Sequence, residues 1–272
     1  MNRPEINLDE LIRDVQSNRY ARIEPGLVRR IVLSEMQKGR KPKEIIKESR
    51  SKLHQVAVAY QEKPIPYNNF STCLASLSTD LSNPAVKDYC RQVMACHTST
   101  AERLPILEPF YETILTPLAP IHSILDLACG LNPLARPWMP LEKEAQYFAS
   151  DIFDDLVGFL NLFFNHFHQN GKGEMIDLCE FQPLPQTDVA LLLKSVPCLE
   201  QLDKNLISDL LLQIPAKFIL VSFPVHSLGG KQKGMAKFYG DHFEKILENL
   251  PFTVQIHTFQ TELVYCLNKN QE

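Results

Sequence analysis

The residues best suited to chemistry stand at the ends of short apolar runs. The first set lies in ILDLACGLNPL (124–134). In a doubly wound sheet, ligands bind at the carboxyl ends of the strands, beside the first strand-to-helix turn, and small residues there let the backbone approach the ligand. Gly130 is the only glycine of this turn; Ala128 and Asn132 stand where a glycine-rich loop would have others. Asn tolerates a left-handed backbone, so Asn132 is the expected substitute. One glycine is too few to shape a pyrophosphate cradle, which weighs against a nicotinamide dinucleotide. Asp126 is suited to an ammonium group, although a tight turn without a ligand accounts for the same residues. Asp151 ends the next apolar run, at the spacing from the glycine turn where an acid accepts both ribose hydroxyls of an adenosine. It also precedes a helical run containing Asp154 and Asp155, so a helix cap is its plainer reading.

Asp177, ending a third run, suits an adenine amino group. Lys194 and Pro197 in LLLKSVPCLE (191–200) fall on the same sheet edge, although a lysine ending a strand also snorkels to solvent. In HTSTAERL (97–104), Ser99, Thr100 and Arg103 share a helical face; Arg103 can fork onto a carboxylate, and Ser99-x-x-Glu102 equally reads as a capping box. The segment SFPVHSLGGKQKGM (222–235) carries Lys231 and Lys233 in a glycine-containing loop, a composition suited to a nucleic-acid backbone.

The positioning elements follow from hydrophobic periodicity. Leu8, Leu11, Ile12 and Val15 mark one helix face; Pro25 starts a second helix, and a third runs from about Pro42 to Tyr60. Residues 63–72 carry turn chemistry, and 86–104 read as helical again. From residue 121 the pattern changes to strands at 124–128, 146–150, 174–178, 189–194 and 218–223, interleaved with helical patterns at 153–168, 200–213 and 236–249. That alternation predicts βαβ units and a parallel sheet. TVQIHTFQ (253–260) and ELVYCLNK (262–269) alternate with almost nothing between them and predict an antiparallel hairpin. A parallel sheet closed by such a hairpin is the layout of the class I methyltransferase fold, an α/β Rossmann-like arrangement.

The chain has 272 residues, of which 44% are hydrophobic and 22% charged, enough to bury a core. No apolar run approaches the roughly 18–20 residues of a membrane span. The charged start MNRPEINLDELIRD has no secretory character, and seven scattered cysteines without a C-x-x-C pair fit a reducing cytoplasm rather than a disulfide scaffold or a cysteine zinc site. The net charge of −4 hides an asymmetry: residues 19–52 hold eleven Lys/Arg against four Asp/Glu, and the acidic excess lies after residue 104. A basic face of this kind suits phosphate contacts, and an ordinary solvated helical surface reads the same way.

Six segments in this order, KLH (52–54), HTSTAER (97–103), LDLACGLNPL (125–134), LLLKSVPCLE (191–200), SFPVHSLGGKQKGM (222–235) and TELVY (261–265), resemble the Arm/Rmt aminoglycoside-resistance 16S rRNA methyltransferases over nearly the whole chain. The resemblance implies a seven-stranded class I methyltransferase domain at 105–272 behind an α-helical rRNA-binding domain at 1–104. It implies methyl transfer from S-adenosylmethionine (SAM), with S-adenosylhomocysteine as product, to N7 of guanine-1405 in the assembled 30S subunit. It places Arg103 on the SAM carboxylate, Ala128 and Gly130 near the methionine part, Asp151 on the ribose and Asp177 on the adenine, with Lys194, Ser195 and Pro197 bordering the pocket. Ser227, Lys231, Lys233 and Met235 would lie by the target base, and Arg19, Arg22, Arg29, Arg30, Arg50, Lys52 and His54 would hold rRNA phosphates. The expected protein is a cytoplasmic monomer without metal or membrane. A small-molecule methyltransferase with a helical lid, or a non-catalytic RNA-binding protein, are the alternatives that the residues alone leave open.

Overall fold

The structure is a computed structural model, describing residues 7–61, 63–225 and 235–269. The leader is helical: α1 (Leu8–Val15), α2 (Pro25–Gln37), α3 (Pro42–Val56), α4 (Tyr67–Leu74), α5 (Pro84–Met94), α6 (Thr98–Ala101) and α7 (Leu107–Leu115). Local chemistry sets its starts. The Asn7 side chain accepts from the Asp9 and Glu10 amides ahead of α1, Glu24 caps the Leu27 amide beside Pro25, and Asn83 caps Ala85 beside Pro84. The helical stretch continues past residue 104, through a 3-10 turn at Thr116–Leu118, before the first strand begins.

The rest alternates: β1 (Ser123–Leu127), β2 (Gln146–Asp151), α8 (Asp154–His166), β3 (Gly171–Met175), β4 (Thr187–Leu193), α9 (Val196–Leu202), α10 (Leu206–Gln213), β5 (Ala216–Pro224), α11 (Met235–Leu247), β6 (Phe252–Thr258) and β7 (Glu262–Lys269). The seven strands lie in the order β3-β2-β1-β4-β5-β7-β6, with β7 antiparallel to both neighbours. The order reverses between β1 and β4, and the crevice outside that point is where such sheets bind ligands. Register aligns the rim: Leu127 stands opposite Ser150, Asp151 opposite Met175, and Leu193 opposite Ser222. Asp188 locks the other end, its carboxylate accepting from the His122 and Ser123 amides.

Three sequence expectations shift. The third strand lies earlier than 174–178, because its Gly171 and Gly173 look like turn residues but pair with Tyr147 and Ala149 of β2. The helix expected at 200–213 is two helices, broken where Asp203 accepts from the Asn205 amide. The turn-like segment 63–72 contains α4, stabilised by packing: the rings of Tyr67 and Phe70 lie 5.3 and 6.5 Å from Phe159 of α8.

One core continues from the leader across a sheet face, joining Leu11, Val28, Leu53 and Phe110 to Leu160, Val189 and Val264. The opposite face packs under α9, α10 and α11. A single bridge between Ile23 and Phe153, with the Glu24 amide donating to the Ile152 carbonyl and the Asp154 amide to the Arg22 carbonyl, stitches the leader to the rim of β2. Among the described residues no helix is long and apolar enough to cross a membrane.

A side chain at residue 171 would strike the buried Phe164 ring, because an added Cβ would fall well inside van der Waals contact with three of its ring carbons. Gly171→Ala is therefore expected to cost about 1–3 kcal/mol in a denaturant titration, whereas Gly158→Ala, where a Cβ meets nothing within 4 Å, should not destabilise.

Candidate functional site

The carboxyl rim of β1, β2 and β4 opens into a cleft that is partly continuous with solvent. Ala128, Gly130, Asp151, Asp177, Lys194 and Ser195 all line it, as the sequence places them. The leader supplies the facing wall through Leu27 of α2, Val56 and Ala57 at the end of α3, Tyr60, His97 and Ser99. The lining is mostly apolar, with a few convergent polar groups.

The turn after β1 is built around two left-handed residues, Ala128 (φ 48°) and Gly130 (φ 51°). Asn132, the expected left-handed substitute, is not one of them; Ala128 accepts that strain. Gly130 is required twice: its φ disfavours a side chain, and an added Cβ would sit 3.2 Å from the His97 ring. The turn is held to β2 by the Gly130 amide donating to Asp151 Oδ2 at 2.8 Å and the Cys129 amide to the Ser150 carbonyl. Asp151 Oδ1 accepts from the Ile152 amide. Burial raises the Asp151 pKa despite these amides. Asp151 is therefore not the side-chain cap of α8, since Phe153 holds that position and makes no side-chain cap bond.

Arg103, expected on the SAM carboxylate, is not among the residues that line the cleft. It is fully buried behind it, with Nε 2.7 Å and Nη2 2.6 Å from Glu262 Oε1, Nη1 2.6 Å from Asn132 Oδ1, and the guanidinium 4.7 Å over the Phe110 ring. Burial opposes its charge, and the Glu262 carboxylate outweighs that, holding its pKa above the ordinary range. Glu262, fully buried at the start of β7, needs a cation and takes this one. Asn132 relays the network onward: its amide nitrogen donates to Asp126 Oδ2 at 2.9 Å, where Tyr147 Oη also donates at 2.6 Å, and Tyr111 Oη meets its carbonyl oxygen. Asp126 is thus sealed behind the lining rather than facing an ammonium, and Pro197, half-buried at the start of α9, is also outside the lining.

Lys194 does not snorkel. It is 4% exposed with a left-handed φ of 59°, and its ammonium reaches the Ser99 carbonyl at 3.2 Å, Glu102 at 2.8 Å and Glu262 at 3.7 Å. The capping-box partner Glu102 is therefore bound to the end of β4. His97 Nδ1 lies 2.9 Å from Ser99 Oγ, and its ring stacks at 6.1 Å on Tyr60. Burial, with Lys194 and Arg103 nearby, pulls its pKa to about 4, so it is neutral at pH 7. Sequence reasoning missed Tyr60, His97 and Glu262. The only signal for Glu262 is a charge at the head of an otherwise apolar run, Leu263 to Leu267, all of which is buried.

The expected rRNA-binding residues divide. Arg19 and His54 are exposed. Arg22 and Arg29 are exposed with surface partners Asp154 and Asp9. Arg50 turns inward to the Asp14 carbonyl and to Ser17 Oγ. Lys52 is half-buried, its pKa lowered by burial and by Lys38 and Arg30. Arg30 points at Asp177, with Nη2 2.7 Å and Nε 3.2 Å from Oδ2. Ser227, Lys231 and Lys233 lie outside the described residues, and Met235 is the first residue of α11.

Burial pushes Asp126 from 3.8 up to about 7, against the Tyr147 and Asn132 hydrogen bonds and the charge of Arg103. Between those values the folded chain holds a proton that the unfolded chain has lost, so this group's contribution to stability falls as pH rises from about 4 to 7. Comparing Asp126→Asn with the parent by denaturant titration across that range should show a difference that changes steadily with pH and levels off above about 7.

A family model described as ribosomal RNA methyltransferase (FmrO) matches residues 16–266. A 16S rRNA (guanine(1405)-N(7))-methyltransferase of Micromonospora echinospora is 33% identical over 272 residues, covering 98% of each chain. One from Serratia marcescens is 30% identical over 266 residues, covering 96% of this chain and 98% of its own. Among solved structures, the 16S rRNA methyltransferase RmtF in complex with S-adenosyl-L-homocysteine superposes with a TM-score of 0.83 at 27% identity, covering 98% of this chain and 99% of that one. The 16S rRNA methylase RmtB gives 0.81 at 26%, covering 98% and 100%. With the strand order, the rim cleft and a match spanning nearly all of its length, the chain belongs to the FmrO family of ribosomal RNA methyltransferases.

Proposed function

We propose that the protein transfers the methyl group of SAM to N7 of guanine-1405 of 16S rRNA in the 30S subunit, and thereby confers aminoglycoside resistance. The observation that carries this reading is a single cleft walled on one side by the strand rim, with Asp151 against Gly130, and on the other by the basic helical leader. The relatives named for this reaction align over 98% and 96% of this chain, leader included. The reading includes a chain that works as a cytoplasmic monomer, with residues 1–104 as the rRNA-holding part and 105–272 as the methyltransferase part.

The residues present fit an adenosyl donor. The Ser195 hydroxyl is buried in the cleft with no hydrogen-bond partner among the described residues. The backbone at 128–130 bends toward the cleft on left-handed residues. Backbone amides occupy only part of the Asp151 carboxylate, leaving acceptor capacity for a ribose diol. Asp177 faces the lining between Ile176 and Leu178, an apolar slot for a purine. Lys194 brings an ammonium to the lining, and Arg103 shares its Glu262 partner behind it.

When bound, the donor supplies an electrophilic sulfonium methyl group. Guanine N7 carries an in-plane lone pair and no proton, so the chain is not required to provide a general base. The chain's work is alignment, which supplies several kcal/mol by proximity, and exclusion of water by Leu27, Val56, Leu156 and Leu199 around the cleft. N7 faces the deep, narrow major groove of A-form RNA, so the base must be turned out at a cost of roughly a few kcal/mol, offset by phosphate contacts from the leader. The product gains a methyl group and a positive charge where a polycationic drug would bind.

Tritiated SAM with purified 30S subunits should label guanine-1405, and Asp151→Ala should abolish both labelling and S-adenosylhomocysteine binding in a calorimeter. Label elsewhere, or none, rejects the reading. Replacing the exposed Arg19 and Arg29 together by Gln should weaken 30S binding and reduce its salt slope by about one for every phosphate left without its arginine, with donor affinity retained. Unchanged 30S affinity would favour a small-molecule substrate.

A further inference from the structure

We propose that Arg30, although it sits on the basic leader, is a positioning residue of the donor cleft: it holds Asp177 and, through it, fastens helix α2 as the wall of the adenosine site. The proposal rests on the methyltransferase reading, since it concerns the same site. Arg30 does not line the cleft, so it acts through Asp177. Its guanidinium gives two hydrogen bonds to one oxygen of that carboxylate, Nη2 at 2.7 Å and Nε at 3.2 Å. The Asp177 side chain is 5% exposed and that of Arg30 30%, so the pair is largely removed from water. The other oxygen, Oδ1, accepts from the Cys179 amide at 3.0 Å. The carboxylate is thereby fixed in rotation, with its remaining lone pairs turned by its partners rather than by solvent.

The consequence reaches α2. Leu27, one turn before Arg30 on the same helix, is 1% exposed and lines the cleft. Ile176 and Leu178 flank Asp177 and line it from the other side. The ion pair joins these two walls across 147 residues of sequence. Lys38 and Lys52 stand close enough for Lys52 to feel both Lys38 and Arg30. Asp177 thus also neutralises one member of a cationic group in which Lys38 is paired with the buried Glu35. An arginine serving only as a phosphate contact would face solvent, as Arg29 does with 54% of its side chain exposed.

The two roles separate in the absence of RNA. Calorimetric titration of the full chain with S-adenosylhomocysteine alone should show Arg30→Met weakened by roughly tenfold, the scale of a hydrogen bond to a buried charge. Arg30→Lys should recover only part of this, because an ammonium cannot make the forked contact. Asp177→Asn should weaken binding further, and Arg30→Met added to Asp177→Asn should cost little more, since the carboxylate that Arg30 acts through is gone. Thermal melting of each variant separates loss of the site from loss of the fold. In steady state with 30S subunits, Arg30→Met should raise KM for SAM with kcat largely kept. Unchanged S-adenosylhomocysteine affinity in a folded Arg30→Met variant, with only 30S binding weakened, would overturn the proposal and leave the methyltransferase reading intact. Failure of the parent chain itself to bind S-adenosylhomocysteine would overturn both.

Discussion

A carboxylate buried at the start of β7 organises the floor of this cleft. Glu262 has no exposed surface, and an ion in that position persists only with cations and donors packed against it. Arg103 comes from the segment before α7 and Lys194 from the end of β4, so one acid ties the leader, a parallel strand and the antiparallel hairpin into a single unit. Asn132 and Tyr111 extend the network to Asp126 and Tyr147, beneath the turn that carries Gly130. The lining groups Gly130, Asp151, Lys194 and Ser99 are thereby held before any ligand arrives. Pre-organisation of this kind matters most for a reaction in which alignment, rather than proton transfer, lowers the barrier.

The second organising feature is the way the leader joins the sheet. It contributes to the same core that covers one sheet face, and its main chain bonds to Ile152 and Asp154 at the mouth of β2. Polar contacts across that seam, from Arg30 to Asp177 and from Arg22 to Asp154, lie beside the apolar lining given by Leu27 and Val56. A basic surface and a donor pocket built on the same helices place a bound polyanion and a bound methyl donor in one frame of reference.

Much of this was legible from local pattern. Short apolar runs between helical patterns show the strand-helix alternation, two nearly contiguous runs show the closing hairpin, and acids ending the runs point to Asp151 and Asp177. Local pattern failed where a distant partner decides the outcome. Arg103 carries the chemistry to grip a ligand carboxylate, and folding sets a protein carboxylate from 159 residues away against it. Arg30 looked like any residue of a basic helix until folding set Asp177 against it. The strand at Gly171–Met175 is hidden because Gly171 is there to clear the Phe164 ring, not to turn the chain. Asn132 was read as a turn residue, whereas its side chain is the hub of a buried network and Ala128 takes the strained backbone.

If the donor site is a joint product of the strand rim and the helical leader, both must respond when it fills. Amide hydrogen exchange of the full chain, with and without S-adenosylhomocysteine, tests this most directly. Added protection is predicted in two groups of peptides at once: those covering 126–131, 150–153 and 176–179 on the rim, and those covering 24–32 and 55–61 in the leader. Protection of the rim peptides alone, with the leader exchanging at its ligand-free rate, would contradict it.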